Sequence, residues 1–137
     1  MKKQVIFSFF AVILMVAVDQ ITKLMLIEKN YSLLLFNLRY VENTGAAFGL
    51  FKDANPLLIL INLAVVFLIL NYIMRIKHRL GMVGFLFILA GALSNLMDRI
   101  IHGYVIDFID FIIWPVFNLA DVYIVAGIFL LIIFVKH

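Results

Sequence analysis

The chain has no cysteine, two prolines and one tryptophan in 137 residues, and only 14% of it is charged. Without cysteine there is no disulfide, no thiolate metal site and no cysteine nucleophile. The charged fraction is far below the roughly 25% of an ordinary soluble domain. Lys and Arg exceed Asp and Glu by 11 to 8, and a formal +3 is too small to mark a polyanion-binding protein. No nucleic-acid partner is expected. The three histidines, His78, His102 and His137, lie far apart and lack metal-ligand spacing. No metal and no cofactor are expected. Neither G-x-S-x-G nor H-E-x-x-H occurs, and Ser8, Ser32 and Ser94 have no histidine beside them. Serine-hydrolase and zinc-protease signatures are therefore missing.

What is present is apolar. Hydrophobic residues make up 66% of the chain and mean hydropathy is +1.18. A soluble globule of 15.7 kDa has too little interior to hide that surface, so lipid is the expected solvent. One integral membrane domain over residues 1–137 is expected. Four runs qualify as spans: Val5–Ile27, Pro56–Met74, Met82–Met97 and Phe117–Val135. Lys2 and Lys3 before the first run imitate a secretory signal peptide. The run ends Ala17-Val18-Asp19, however, and valine is a poor cleavage residue, so an uncleaved span is expected. Four spans put both termini on one side. Lys2, Lys3, Arg75, Lys77, Arg79 and Lys136 share that side with no acidic residue, which assigns it to the cytoplasm.

The long loop between the first two spans faces outward on this topology. Phe36, Leu38 and Tyr40 alternate with Asn37 and Arg39, a period of two that predicts a short strand. Asn43-Thr44-Gly45 reads as a turn. The stretch Ala46–Phe51 is apolar enough to lie at the lipid surface. The fold class is thus all-α, with four transmembrane helices and a small outward-facing β platform between helices 1 and 2.

Charge at membrane depth costs about 2.5–3.5 kcal/mol per residue even on the lenient insertion scale, so each such residue needs a partner or a task. Asp19 and Lys23 are four apart, on one helical face, and read first as a self-neutralising pair. Gly91, Asn95 and Arg99 recur every four residues, with Asp98 beside them. They form a close-packed seam ending in polar groups, where arginine can hold a carboxylate in bidentate geometry. Asp98, Asp107, Asp110 and Asp121 are half of all acidic residues, within 24 positions at the outer ends of spans three and four. Asn118 and Asp121 can share a face at the start of span four, with Asn118 as its cap. Asp110 reads as a solvated loop residue, whereas Asp107 with Asp121 reads as chemistry. Two adjacent carboxylates cannot both ionise cheaply and share a proton. Such a pair activates water with one member and protonates a leaving nitrogen with the other. Near a helix N-terminus, Asp121 is expected to be the more readily ionised partner. A small proton-coupled transporter also uses intramembrane Asp and Lys, but it needs a polar path through to the inner side. The inner halves of the spans are nearly bare apart from Asn71.

Five segments occur in a fixed order: Asp19-Gln20-Ile21-Thr22-Lys23, Glu42-Asn43-Thr44-Gly45-Ala46-Ala47-Phe48, Gly91 to Arg99, Gly103-Tyr104-Val105-Ile106-Asp107-Phe108, and Phe117-Asn118-Leu119-Ala120-Asp121. In this the chain resembles the lipoprotein signal peptidase (signal peptidase II) family, bacterial membrane aspartyl proteases, over nearly its whole length. The resemblance implies a multi-pass enzyme of the bacterial cytoplasmic membrane, with its active site near the outer face. It implies cleavage of signal peptides from diacylglyceryl-modified prolipoproteins just before the lipidated cysteine. The dyad falls on Asp107 and Asp121. Supporting positions fall on Asp19, Lys23, Asn43, Gly45, Asn95, Arg99 and Asn118, with Asp98 among them. Globomycin-type inhibitors are expected to occupy the site. Partners are the prolipoprotein substrate and membrane lipid, and a monomer is expected.

Overall fold

The computed structural model describes residues 2–46, 50–73, 75, 76 and 79–135. Four helices account for most of it: α1 (Lys2–Leu26), α2 (Asn55–Ile73), α3 (Arg79–Ile101) and α4 (Leu119–Val135). Three strands complete it: β1 (Asn30–Ser32), β2 (Asn37–Asn43) and β3 (Val105–Asp110). Among the described residues, three helical segments are long and apolar enough to cross a membrane: Phe7–Leu26, Asn55–Ile73 and Gly81–Ile101. The fourth helix is equally apolar but has 17 residues, about 25 Å at 1.5 Å per residue.

The fold differs from the sequence expectation in three respects. First, α3 runs four residues past Met97, through Asp98 and Arg99. Those charges do not end the helix, because their polar atoms meet partners from other elements. Second, α4 starts at Leu119 instead of Phe117: Phe117 pairs with Ile109 across an isolated bridge and Asn118 is the cap. Third, the sheet does not lie wholly between the first two helices, and the chain is not purely α. The strand order is β1-β2-β3, all antiparallel, and β3 comes from the segment between α3 and α4. The predicted strand is β2. Its register with β3 sets Asn37 opposite Asp110, Val41 opposite Asp107 and Asn43 opposite Val105, with an irregularity between Leu38 and Val41. Met74, Lys77 and Lys136, and Ala47, Phe48 and Gly49 of the apolar loop stretch, lie outside the described residues.

Helix α3 is central and touches each of the other three. Val12, Ile69, Leu89 and Ala90 form the buried core, with Phe85 and Tyr123 packed against it. The α3–α4 seam is built from glycine. A Cβ at Gly127 would come within 2.6 Å of the Gly84 carbonyl oxygen, and one at Gly91 would collide with the Ala120 carbonyl oxygen and lie 2.7 Å from Ile124 Cγ1. Small residues let the two backbones meet, as in membrane helix pairs generally. The contact at Gly91 seats the first turn of α4, which carries Asp121, against the middle of α3. Gly91→Ala should therefore lower unfolding stability by about 1–3 kcal/mol through overpacking against backbone that cannot yield. Thermal unfolding of the purified protein in detergent checks this, and an unchanged midpoint would contradict it.

Candidate active site

Asp107 sits mid-strand in β3 and is 2% exposed. Asn43, from the end of β2, donates from Nδ2 to Asp107 Oδ2 at 2.8 Å. Its own Oδ1 accepts from the Gly45 N–H at 3.0 Å, and this Asx turn fixes which end of the amide faces the carboxylate. Asn118 donates from Nδ2 to the other oxygen, Asp107 Oδ1, at 2.6 Å.

Asn118 is also the cap of α4. Its Oδ1 accepts from the Asp121 N–H at 2.9 Å, and Asp121 Oδ2 accepts from the Asn118 N–H at 3.3 Å. This is a reciprocal capping box, with Asp in the place usually taken by Glu or Gln. Asn95 of α3 donates from Nδ2 to Asp121 Oδ1 at 2.9 Å. One side chain, Asn118, thus touches Asp107 while capping the turn that carries Asp121. Both carboxylates line one cleft of about 620 Å³, with Asn43, Asn95 and Arg99 also on its wall. An apolar groove of about 500 Å³ lined by Trp114, Phe117, Val122 and Phe129 also reaches Asp121. Burial, and then the neighbouring Asp121 charge, push the Asp107 carboxyl up to about 7 despite its amide donors.

A sequence model of the family described as Signal peptidase (SPase) II matches residues 11–136. The chain belongs to the signal peptidase II family. It is a membrane aspartic peptidase, which settles the choice against a transporter. The lipoprotein signal peptidase of Halothermothrix orenii is 42% identical over 135 residues, covering 92% of each chain. That of Thermodesulfovibrio yellowstonii is 44% identical over 130 residues, 88% of each chain. A solved bacterial membrane enzyme superposes with a TM-score of 0.87 at 26% identity, covering 93% of this chain and 85% of that one.

Seven of the residues singled out in the sequence converge on the cleft or its immediate contacts: Asp107, Asp121, Asn43, Gly45, Asn95, Arg99 and Asn118. Arg99 does so differently from the expected bidentate grip on a carboxylate. Its Nη2 donates to the Gly45 carbonyl at 3.1 Å and its Nη1 to the Asn95 carbonyl at 3.4 Å. Arg99 therefore ties the β2–α2 loop to α3 and presents its charge to the cleft at longer range. Asp19, Lys23 and Asp98 lie behind the cleft wall, at most 1% exposed. The expected Asp19–Lys23 pair is half of a larger cluster, for Lys23 Nζ lies 2.7 Å from Asp19 Oδ2 and 2.8 Å from Asp98 Oδ2. Gln20 and Ser94 also bond into this cluster, though sequence reasoning gave them no role.

Asp110 is not a loop residue. It is three residues from Asp107 on one strand, hence on the opposite face. It accepts from the Ile112 N–H at 2.8 Å and pairs with Arg39 Nε at 2.6 Å. These two contacts hold its carboxyl below the usual range.

Proposed function

We propose that this enzyme removes the signal peptide from diacylglyceryl-modified prolipoproteins, cutting before the lipidated cysteine, with Asp107 and Asp121 as the catalytic pair. The observation that carries the reading is the shared amide: Asn118 binds one carboxylate and caps the turn bearing the other, both facing one cleft. The substrate class comes from the relatives, which are named lipoprotein signal peptidases. The apolar groove beside Asp121 suits a lipid-bearing substrate arriving sideways from the bilayer.

In the proposed mechanism one proton is shared by two carboxylates. The buried Asp107 holds it. Asp121, at the N-terminal turn of α4 with two N–H donors, is the ionised member. Asp121 takes a proton from a water that attacks the scissile carbonyl, and Asp107 protonates the carbonyl oxygen. Asp121 then passes its proton to the leaving nitrogen as the C–N bond breaks, and Asp107 recovers its proton from a hydroxyl of the collapsing gem-diol, which leaves the pair singly protonated again. Asn43, Asn95, Gly45, Arg99 and Asn118 hold this geometry. On this reading residues 1–137 form one domain whose four helices span the bacterial cytoplasmic membrane. Both termini are cytoplasmic, the cleft lies near the outer face, and the enzyme acts as a monomer.

The test is cleavage of a purified diacylglyceryl prolipoprotein by the enzyme in lipid nanodiscs, with the product's N-terminus read by mass spectrometry. A mature chain beginning at the lipidated cysteine is expected; a cut elsewhere, or none, ends the reading. Asp110→Asn should keep turnover within about twofold, because its side chain faces Arg39 on the far side of the strand. A loss as large as that of Asp107→Asn would mean that the wrong aspartate is assigned.

A further inference from the structure

Behind the cleft, the buried cluster makes two backbone contacts that the active-site hydrogen bonds do not use. Asp98 Oδ2 accepts from the Ile106 N–H at 3.1 Å, and Asp19 Oδ1 accepts from the Ala120 N–H at 2.9 Å. Ile106 and Ala120 immediately precede Asp107 and Asp121. β3 is an edge strand of the sheet, and Ala120 lies in the first turn of α4, where helical N–H groups have no internal partner. The two buried carboxylates therefore grip the chain one residue before each active-site carboxylate.

Those two grips are themselves cross-linked twice. Lys23 Nζ spans Asp19 Oδ2 and Asp98 Oδ2, and it donates to Asn95 Oδ1 at 3.2 Å, which turns the Asn95 Nδ2 toward Asp121. A neutral route runs in parallel. Gln20 Nε2 donates to Asp98 Oδ1 at 2.7 Å and to Ser94 Oγ at 3.0 Å, and Ser94 Oγ donates to Asp19 Oδ2 at 2.6 Å. No buried side-chain nitrogen or oxygen lacks a partner among the described residues. Gln20, Lys23 and Ser94 do not line the cleft.

We propose that Gln20, Lys23 and Ser94 are positioning residues: by tying Asp19 to Asp98 they set the separation between Asp107 and Asp121. This rests on the reading of Asp107 and Asp121 as the catalytic pair. The competing account is a cluster that merely holds α1 against α3. A buried ion cluster is weak support for stability, since apolar side chains of similar volume do as well. The specific feature is where the grips fall, at the two amides next to the two carboxylates.

The test uses the full chain in lipid nanodiscs, with kcat, KM and the pH–rate profile measured on a diacylglyceryl prolipoprotein. Folding is followed by gel filtration and by thermal unfolding through the fluorescence of Trp114. For Lys23→Met, kcat should fall about 100-fold with KM changed less than about threefold, as expected for reacting groups displaced by about 1 Å. For Gln20→Met/Ser94→Ala, which alters no charge, the fall should be about tenfold, again with KM nearly unchanged. In both, the two limbs of the pH–rate bell should draw together, because the coupling of two carboxylates weakens with their separation. Loss of the Lys23 charge from its place between Asp19 and Asp98 also moves both limbs to higher pH. The neutral double variant shows the narrowing alone. A cluster that is only structural would lower the melting temperature but leave kcat per folded molecule and the width of the bell unchanged, and that result overturns the proposal. If Lys23→Met does not fold, the neutral double variant decides. Inactive Asp107→Asn and Asp121→Asn beside a fully active Gln20→Met/Ser94→Ala sink this inference alone. Activity in either aspartate variant sinks the catalytic reading with it.

Discussion

Asp107→Asn and Asp121→Asn should each lower the turnover of diacylglyceryl prolipoprotein by about 10³-fold or more, with the fold and KM largely preserved. The substitutions are nearly isosteric, so packing in the cleft is not disturbed. What is lost is specific. At position 107 both oxygens accept from side-chain amides whose orientation is locked. Asn43 is locked by the Gly45 N–H and Asn118 by the Asp121 N–H. An amide at 107 therefore sets an NH₂ group against another donor and has no exchangeable proton to lend. At position 121 one oxygen accepts from Asn95 and the other from the Asn118 backbone, so an amide loses both its charge and one of these bonds. On the proposed mechanism the two carboxylates share one proton, so their losses should not add: the double variant should be about as slow as either single one. A gel-shift cleavage assay on folded variants measures this. Either variant cleaving at more than a tenth of the wild-type rate would sink the assignment.

The helices were legible because hydropathy alone decides them. Their ends were less so. Asp98 and Arg99 look like the end of a span, and only the approach of Lys23, Gln20 and the Ile106 amide from other elements makes Asp98 tolerable inside α3. Strand β2 showed a period of two. Strand β3 did not, because Val105, Ile106, Asp107 and Phe108 are all buried and both faces of the strand are covered. Alternation marks strands with one wet face, so a strand covered on both faces escapes it. At three residues, all exposed, β1 is too short for any pattern.

The site was legible to a similar depth. The types and order of its residues could be read, but the partners could not, since pairings between α1 and α3 or β2 and β3 leave no local trace in one sequence. Some signals were available. Ser94 and Asp98 are four apart on one helix, as Asp19 and Lys23 are on another, so two polar faces of matching depth were visible. Had β3 been recognised as a strand, the odd spacing between Asp107 and Asp110 would have placed them on opposite faces. The role of Asn118 went further than capping, since the amide oxygen that closes the α4 cap leaves its nitrogen for Asp107.

Raising the pH from about 4 to 7 should cost the wild type stability that Asp107→Asn keeps. The ordinary carboxyl value is 3.8, which stands for the unfolded chain, and in the fold Asp107 is pushed up to about 7 by burial and by Asp121. Within that window the native protein holds a proton that the unfolded chain has released. Unfolding therefore releases a proton, and stability falls with rising pH until Asp107 ionises in the fold as well. Below about 4 the term is absent, and above about 7 it is constant. The melting temperature of Asp107→Asn minus that of the wild type should accordingly climb across this interval and then level off. Parallel curves from pH 4 to 8 would show that Asp107 ionises normally. The same titration shapes catalysis. On the proposed mechanism Asp107 enters the reaction protonated, and its carboxyl is pushed up to about 7, so kcat/KM should decline about tenfold per pH unit on the alkaline side. An enzyme whose kcat/KM is flat from pH 7 to 9 would require a proton donor other than Asp107.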